Sequence, residues 1–234
     1  MAEREPTEQE WAEARKLLAA SDRPITTFRL GGQRPADTRL ASWWGGNFVA
    51  PVPEDAPGML PLFQICVADL PPAQRGAFRA EYLLFWIAPE PDKGALIEGR
   101  DFIIRELAAP ETIPPTDGQS SDEGRAFALF QMHPESGTTQ RPAWEDFAHR
   151  VPDAVAWSHE NDWFFDHPND PGDEDRPLLI GGWPQWIQGA QTPEGSDFVL
   201  QISSTGKGMF MYGDGGNLYL WRRPGGWELL GDFY

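Results

Sequence analysis

The chain has 234 residues, with 36 acidic against 19 basic side chains and a formal net charge of −17. Such a surface repels nucleic-acid phosphates and anionic membranes, which argues against both as direct partners and leaves a basic protein as the partner it would attract. A content of 40% hydrophobic and 24% charged residues excludes a disordered chain, while 11 Trp, 14 Phe, 23 Pro and 24 Gly favour strands and turns over long helices.

Thr7 and Glu10 have the spacing of a capping box, and Trp11, Ala14, Leu17 and Leu18 recur at helical spacing. A helix is expected over residues 7–20, lying across the sheet as a brace. Ile25 to Leu30 reads as a short strand stopped by Gly31-Gly32. A double glycine among aromatics follows: Ser42-Trp43-Trp44-Gly45-Gly46-Asn47-Phe48. The Pro- and acid-rich stretch 51–61 reads as a surface loop, and Met59 to Ala68 as the next strand. Cys66 inside that strand is the only cysteine, which excludes an internal disulfide or a multi-cysteine zinc site and points to a buried, unreactive thiol. Asp69-Leu70-Pro71-Pro72 leads into a short helix, Ala73 to Phe78. Tyr82 to Ala88 and Phe102 to Leu107 continue the sheet, and residues 108–125, rich in Pro, Ser and acids, read as a linker.

Beyond the linker, Phe127 to Met132 is expected as a strand and Ala143 to His149 as a helix opened by Arg141-Pro142. An acidic, turn-rich stretch occupies 159–175. The double glycine then recurs in Leu179-Ile180-Gly181-Gly182-Trp183-Pro184-Gln185-Trp186-Ile187-Gln188. Phe198 to Ile202 matches Leu62 to Ile65 and aligns Gln201 with Gln64, and Tyr219 and Tyr82 each lie 18 residues past their glutamine. Met209 to Tyr212 and Leu218 to Trp221 flank Gly213-Asp214-Gly215-Gly216-Asn217 as a hairpin would, and Pro224-Gly225-Gly226 leads into a last strand, Trp227 to Leu230. The expected architecture is one α+β domain, β-rich and internally duplicated. Its two pseudo-symmetric sheet units span about 25–107 and 126–234, with a few short helices.

Ser42-Trp43-Trp44-Gly45-Gly46, Phe63-Gln64-Ile65-Cys66-Val67-Ala68-Asp69-Leu70-Pro71 and Leu83-Leu84-Phe85-Trp86-Ile87 resemble the first half of the YwqG-like proteins. Ile180 to Gln188, Leu200-Gln201-Ile202 and Met211-Tyr212-Gly213-Asp214-Gly215-Gly216 resemble the second half. The likeness runs from about Leu40 to Trp221. This chain has Arg176-Pro177 where members often carry a histidine before the second glycine pair. The resemblance implies an α+β fold with duplicated halves and no particular activity.

The glycine pairs suit tight corners or a close backbone approach. They do not make a phosphate loop, because Gly206-Lys207-Gly208 leads into a strand rather than a helix. Gln64 and Gln201 are amides in apolar strands that must find partners, either with each other across the interface between the halves or with a ligand. Trp43, Trp44, Trp183 and Trp186 are core residues or, where exposed, protein-binding ones. Gln185, Gln188 and Asp214 complete the candidate interaction set. His159, Asp162, Asp166, His167, Asp170 and Asp173 are the only metal-like grouping and match no metal motif. Cys66 with His133 or His149 is the only thiol–imidazole combination, and no nucleophile elbow or His-Glu-x-x-His sequence occurs. No catalytic residue, cofactor or metal is expected. With a charged N-terminus and no apolar run long enough to cross a bilayer, the chain reads as cytosolic. The expected role is that of a non-catalytic interaction protein, such as an immunity- or antitoxin-like inhibitor of a basic partner. The alternatives are a small-ligand protein or enzyme with its site in the cleft between the halves, or a component of a larger assembly.

Overall fold

The computed structural model describes residues 4–54, 57–93, 96–111, 127–158, 164 and 175–234. Its strands are β1 (Arg23–Leu30), β2 (Trp43–Trp44), β3 (Leu60–Cys66), β4 (Tyr82–Ile87), β5 (Phe102–Leu107), β6 (Phe130–Gln140), β7 (Leu178–Gly181), β8 (Asp197–Ser203), β9 (Asn217–Arg223) and β10 (Gly226–Asp232). All pair antiparallel in one sheet, in the order β10-β9-β8-β7-β1-β6-β2-β3-β4-β5. Four α-helices stand among the described residues: α1 (Glu8–Ala19) and the single turns α2 (Pro72–Arg75), α3 (Trp144–Phe147) and α4 (Asp153–Ala156).

At the centre, β1 pairs with β6 along its whole length. Outward from them, β7 to β10 extend from β1, and β2 to β5 extend from β6. The sheet curls until it is nearly closed, like a barrel. Arg222 on β9 reaches Glu106 on β5 with two hydrogen bonds of 2.7 and 2.8 Å, and one apolar core fills the interior from both arms. Sequence periodicity explains which faces are filled. In β4, Leu83, Phe85 and Ile87 point into this core, while Tyr82, Leu84 and Trp86 belong to a second cluster on the other face. Phe48, Val49 and Ala50, just past the first glycine pair, cover that outer face, so every β4 residue is buried.

Thr7 and Glu10 form the expected capping box of α1. The helix does not brace the sheet, however. Its stripe of Trp11, Ala14 and Leu18 packs on Phe147, Val151, Val155 and Phe164, because the α3–α4 region supplies the apolar surface that the narrow stripe needs. The sixth strand runs to Gln140, well past the expected end at Met132. Its outer residues are exposed and Gly137 bulges against β1, so the apolar alternation that marks a strand is absent there. Met209 to Tyr212 is not a ladder strand. Met209 has φ 55°, only the bridge Thr205↔Phe210 forms, and the hairpin is instead β9–β10 around Pro224-Gly225. Gln64 lies opposite Leu84 and Gln201 opposite Tyr219, so Tyr82 and Tyr219 are not equivalent. The β3–β4 connection is longer by two residues, which makes the equal tyrosine spacing accidental. Most of the expected linker, residues 112–125, lies outside the described residues.

Candidate functional site

The first glycine corner follows β2. Trp44 is buried in the core and its indole Nε1 donates to Gly208 O at 3.0 Å. Gly45 has φ 77°, and a Cβ on it would sit 2.4 Å from Ala128 O, so the close approach of backbone to backbone requires glycine. Gln64 ties both flanks of β2 down. Its Oε1 accepts from Val49 N at 2.7 Å, and its Nε2 donates to Arg39 O and Ala41 O, each at 2.8 Å. The expected bond to Gln201 does not form: β7, β1, β6 and β2 stand between β8 and β3 in the sheet, and the nearby orphan backbone groups claim the amide instead.

A groove of about 840 Å³ opens at this corner, between the Gly31-Gly32 turn, the loop 33–39, Trp43, Asn47 and Leu129-Phe130-Gln131. The loop is fastened from beneath: Ala36 N donates to Gln131 Oε1 at 2.7 Å, and Trp43 Nε1 donates to Thr38 O at 3.0 Å. Leu129 lies over Gly46. Leu40 and Leu129 are 53% and 54% exposed, and Met209, next to the Gly208 carbonyl that accepts from Ala128 N, is 61% exposed.

The second corner follows β7. A Cβ on Gly181 would lie 2.8 Å from Pro24 O, and one on Gly182 would strike Gln140 Oε1. That same oxygen accepts from Trp183 N at 2.8 Å, while Trp183 Nε1 donates to Ser21 O at 2.9 Å. Gln201 Oε1 accepts from Gln185 N at 2.9 Å, and its Nε2 donates to Gln185 Oε1 and Ser203 Oγ, both at 3.1 Å. Asp232 accepts from Ile187 N and Gln188 N, and the single hydroxyl proton of Tyr219 is shared between Gln185 O and Asp232 Oδ1. Burial first, then the Asp232 carboxylate, push that hydroxyl far above the usual tyrosine range and keep it a donor. Trp186 packs on Tyr219 and Trp221 and donates to Asp146 Oδ2 at 2.9 Å.

Of the candidate interaction residues, Trp43, Trp44, Gln64, Trp183 and Gln201 are buried, and Gln185 and Trp186 are half-buried. The candidate tryptophans therefore present no exposed ring: Trp44 fills the interior core, the indoles of Trp43 and Trp183 are held by Thr38 O and Ser21 O, and Trp186 packs on Tyr219 and Trp221. Gln188 is exposed and donates to Phe233 O, and Asp214 lies in an exposed turn that packs on the same Phe233. The sequence reading missed Gln131, Gln140, Asp146 and Asp232, each a polar side chain that fastens a corner loop. The one available signal was a lone polar residue at the end of a strand, as in Gln140 and Asp232. It also missed Trp157, which is 75% exposed.

Burial pushes the Asp146 carboxyl above its ordinary value, against hydrogen bonds from Trp186 and Thr192 that lower it. The folded state therefore holds this proton more tightly than the unfolded state. The strain on stability is present above the folded pKa and is relieved as pH falls through it. Asp146→Asn, which still accepts from Trp186, is expected to match or exceed the wild type in urea melts at pH 7 and to lose that advantage near pH 4. A variant that is clearly weaker at pH 7 would show that the charge itself is needed.

Cys66 is buried, and burial pushes its thiol up, which leaves it a poor nucleophile. The metal-like residues His159, Asp162, Asp166, His167, Asp170 and Asp173 lie outside the described residues. Among the described residues no helix is long and apolar enough to cross a membrane, and no three His, Cys, Asp or Glu side chains are grouped to hold a metal ion. No protein-family model matches the chain, and no curated protein matches it.

Proposed function

We propose that this chain is an internally duplicated, YwqG-like, non-catalytic cytoplasmic protein that binds a basic protein over the groove at the first glycine corner. The duplication is supported residue by residue. In each half the glutamine Oε1 accepts the N–H four residues past the first glycine, Val49 after Gly45 and Gln185 after Gly181. Register breaks two residues before each glutamine, at Leu62 and at Val199. Gly45 faces Ala128 O and Gly181 faces Pro24 O, the residues two before Phe130 and Thr26, which pair with Trp44 and Ile180. On this reading the halves have exchanged their first strands.

The observation that carries the functional proposal is the exposed Leu129 in the lining of a preformed groove, with exposed Leu40 next in the chain to the groove-lining Arg39. The net charge of −17 would steer a basic partner toward the protein, as an immunity- or antitoxin-like protein would meet a basic toxin. Affinity capture from native lysate at low salt is expected to recover a basic protein in stoichiometric amount, and less of it at high salt. Leu129→Asp is expected to weaken that complex about tenfold with an unchanged thermal midpoint, since the side chain is exposed. Capture of no stoichiometric partner, or equal capture by Leu129→Asp, would count against the proposal.

A further inference from the structure

The second glycine corner gathers positive charge on an acidic protein. Arg23, at the start of β1, places its Cζ 3.4 Å from the centre of the Trp183 ring, and Arg150 places its own 4.8 Å from the same ring. Both residues keep exposed surface, while the Arg23 guanidinium is partly buried where it meets Gly182. Several other arginines sit on carboxylates: Arg29 and Arg176 on Glu135, Arg105 on Glu111, Arg222 on Glu106. Arg222 is the informative comparison. It too stacks on a tryptophan, Trp227 at 3.5 Å, and its planar fork is filled by the Glu106 carboxylate. Among the described residues Arg23 and Arg150 have no such ion pair, and Arg23 donates only to Gly182 O, at 3.4 Å.

Two guanidiniums on one ring repel each other, and a shared counter-anion removes that repulsion. The stacking holds both forks in place, which lowers the ordering cost of binding a planar or tetrahedral oxyanion. A further donor lies at the same corner. Gln140 pairs with Arg23 across the β1–β6 ladder and is buried, and its Nε2 has no hydrogen-bond partner. The other charged groups nearby are accounted for. Asp146 and Asp197 act on Arg23 without forming an ion pair, Arg141 is held by Asp22 at 3.4 Å, and His149 adjoins Arg150. Burial, and then the Arg150 charge, push the Arg23 pKa down, as expected for a cation short of a counterion.

We propose that Arg23 and Arg150, both held against the Trp183 ring, form a binding site for an oxyanion, the phosphate or carboxylate group of a small molecule. The site shares no residue with the lining of the groove and does not depend on the partner-binding reading. The test is NMR of the arginine Nε–Hε groups in the full ¹⁵N-labelled chain. Inorganic phosphate and, separately, succinate are titrated at constant ionic strength against potassium chloride. The Arg23 and Arg150 signals are expected to shift together and saturably with phosphate, succinate or both, and the responding probe tells which oxyanion the site takes. Arg150→Lys keeps the charge but removes the fork and is expected to weaken binding at least about fivefold. Arg150→Gln is expected to abolish it, while Arg15→Gln on α1 leaves it unchanged. Arg150 is exposed, so these variants stay folded even if Arg23→Gln does not. Shifts that match chloride, fail to saturate, or persist in Arg150→Gln would overturn the assignment.

Discussion

Replacing Gly45 with alanine is expected to cost about 3–5 kcal/mol of stability, enough to leave little folded protein, whereas Gly58→Ala costs about 1 kcal/mol. Both glycines have positive φ, 77° and 94°, so both substitutions incur the left-handed penalty of about 1–2 kcal/mol or less. They differ in what a methyl group would meet. At Gly58 nothing lies within 4 Å. At Gly45 the methyl lands 2.4 Å from Ala128 O and 3.1 Å from Phe127 O, which are backbone atoms that cannot turn aside. To move them, the segment leading into β6 must shift. That strains the Trp44↔Phe130 pairing and the Ala128 N–H bond to Gly208 O at 3.2 Å. Urea unfolding of the two variants beside the wild type measures the difference directly. If they fall within about 1 kcal/mol of each other, the corner yields and the close approach is not a constraint.

Gln64→Leu is expected to destabilise by about 3 kcal/mol and Gln201→Leu by about 1–2 kcal/mol, although both amides are buried and leucine has a similar volume. Removing the Gln64 amide strands three backbone groups: the Val49 N–H and the carbonyls of Arg39 and Ala41. Each buried, unpaired group costs about 1–3 kcal/mol, with the carbonyls near the groove partly rescued by water. Removing the Gln201 amide strands one backbone N–H, that of Gln185. The other two partners are the Gln185 and Ser203 side chains, half-buried and able to turn toward solvent. Since four strands separate β3 from β8, the two effects should add to within about 0.5 kcal/mol in the double variant. A coupling above about 1 kcal/mol would restore the idea of a bond between the two glutamines.

The elements with strong local patterns were readable from the residues: the capped helix α1, the wholly apolar β4, and β3 and β8 with their aligned glutamines. What failed depended on long-range pairing. Pro134 to Thr139 carries no apolar alternation, because β1 supplies its ladder partner while most of its side chains remain in water. Met209 to Tyr212 has the composition of a strand but bridges only at Phe210, and Tyr212 is buried among its contacts with Phe233. Of the sites, the glycine corners could be located from spacing, and their two glutamines could be aligned. Which atoms those amides reach could not be read, because the choice among orphan backbone groups is made by the fold. The arginines on Trp183 were equally hidden: they are far apart in sequence from the ring they share.

The crossed placement of β1 and β6 also bears on the order in which the chain can fold. β1 forms its ladders only with β6 and β7, so Arg23 waits for Gln140 and Phe28 for Pro134 before either has a strand neighbour. On a ribosome, the first hundred residues would emerge with β1 unpaired and with β2 lacking one of its two partners. Closing loops this long must precede most of the apolar burial, which makes for slow, late and cooperative assembly. Until β6 arrives, the exposed edges of β1 and β2 are where a nascent chain would be open to mispairing or to a chaperone.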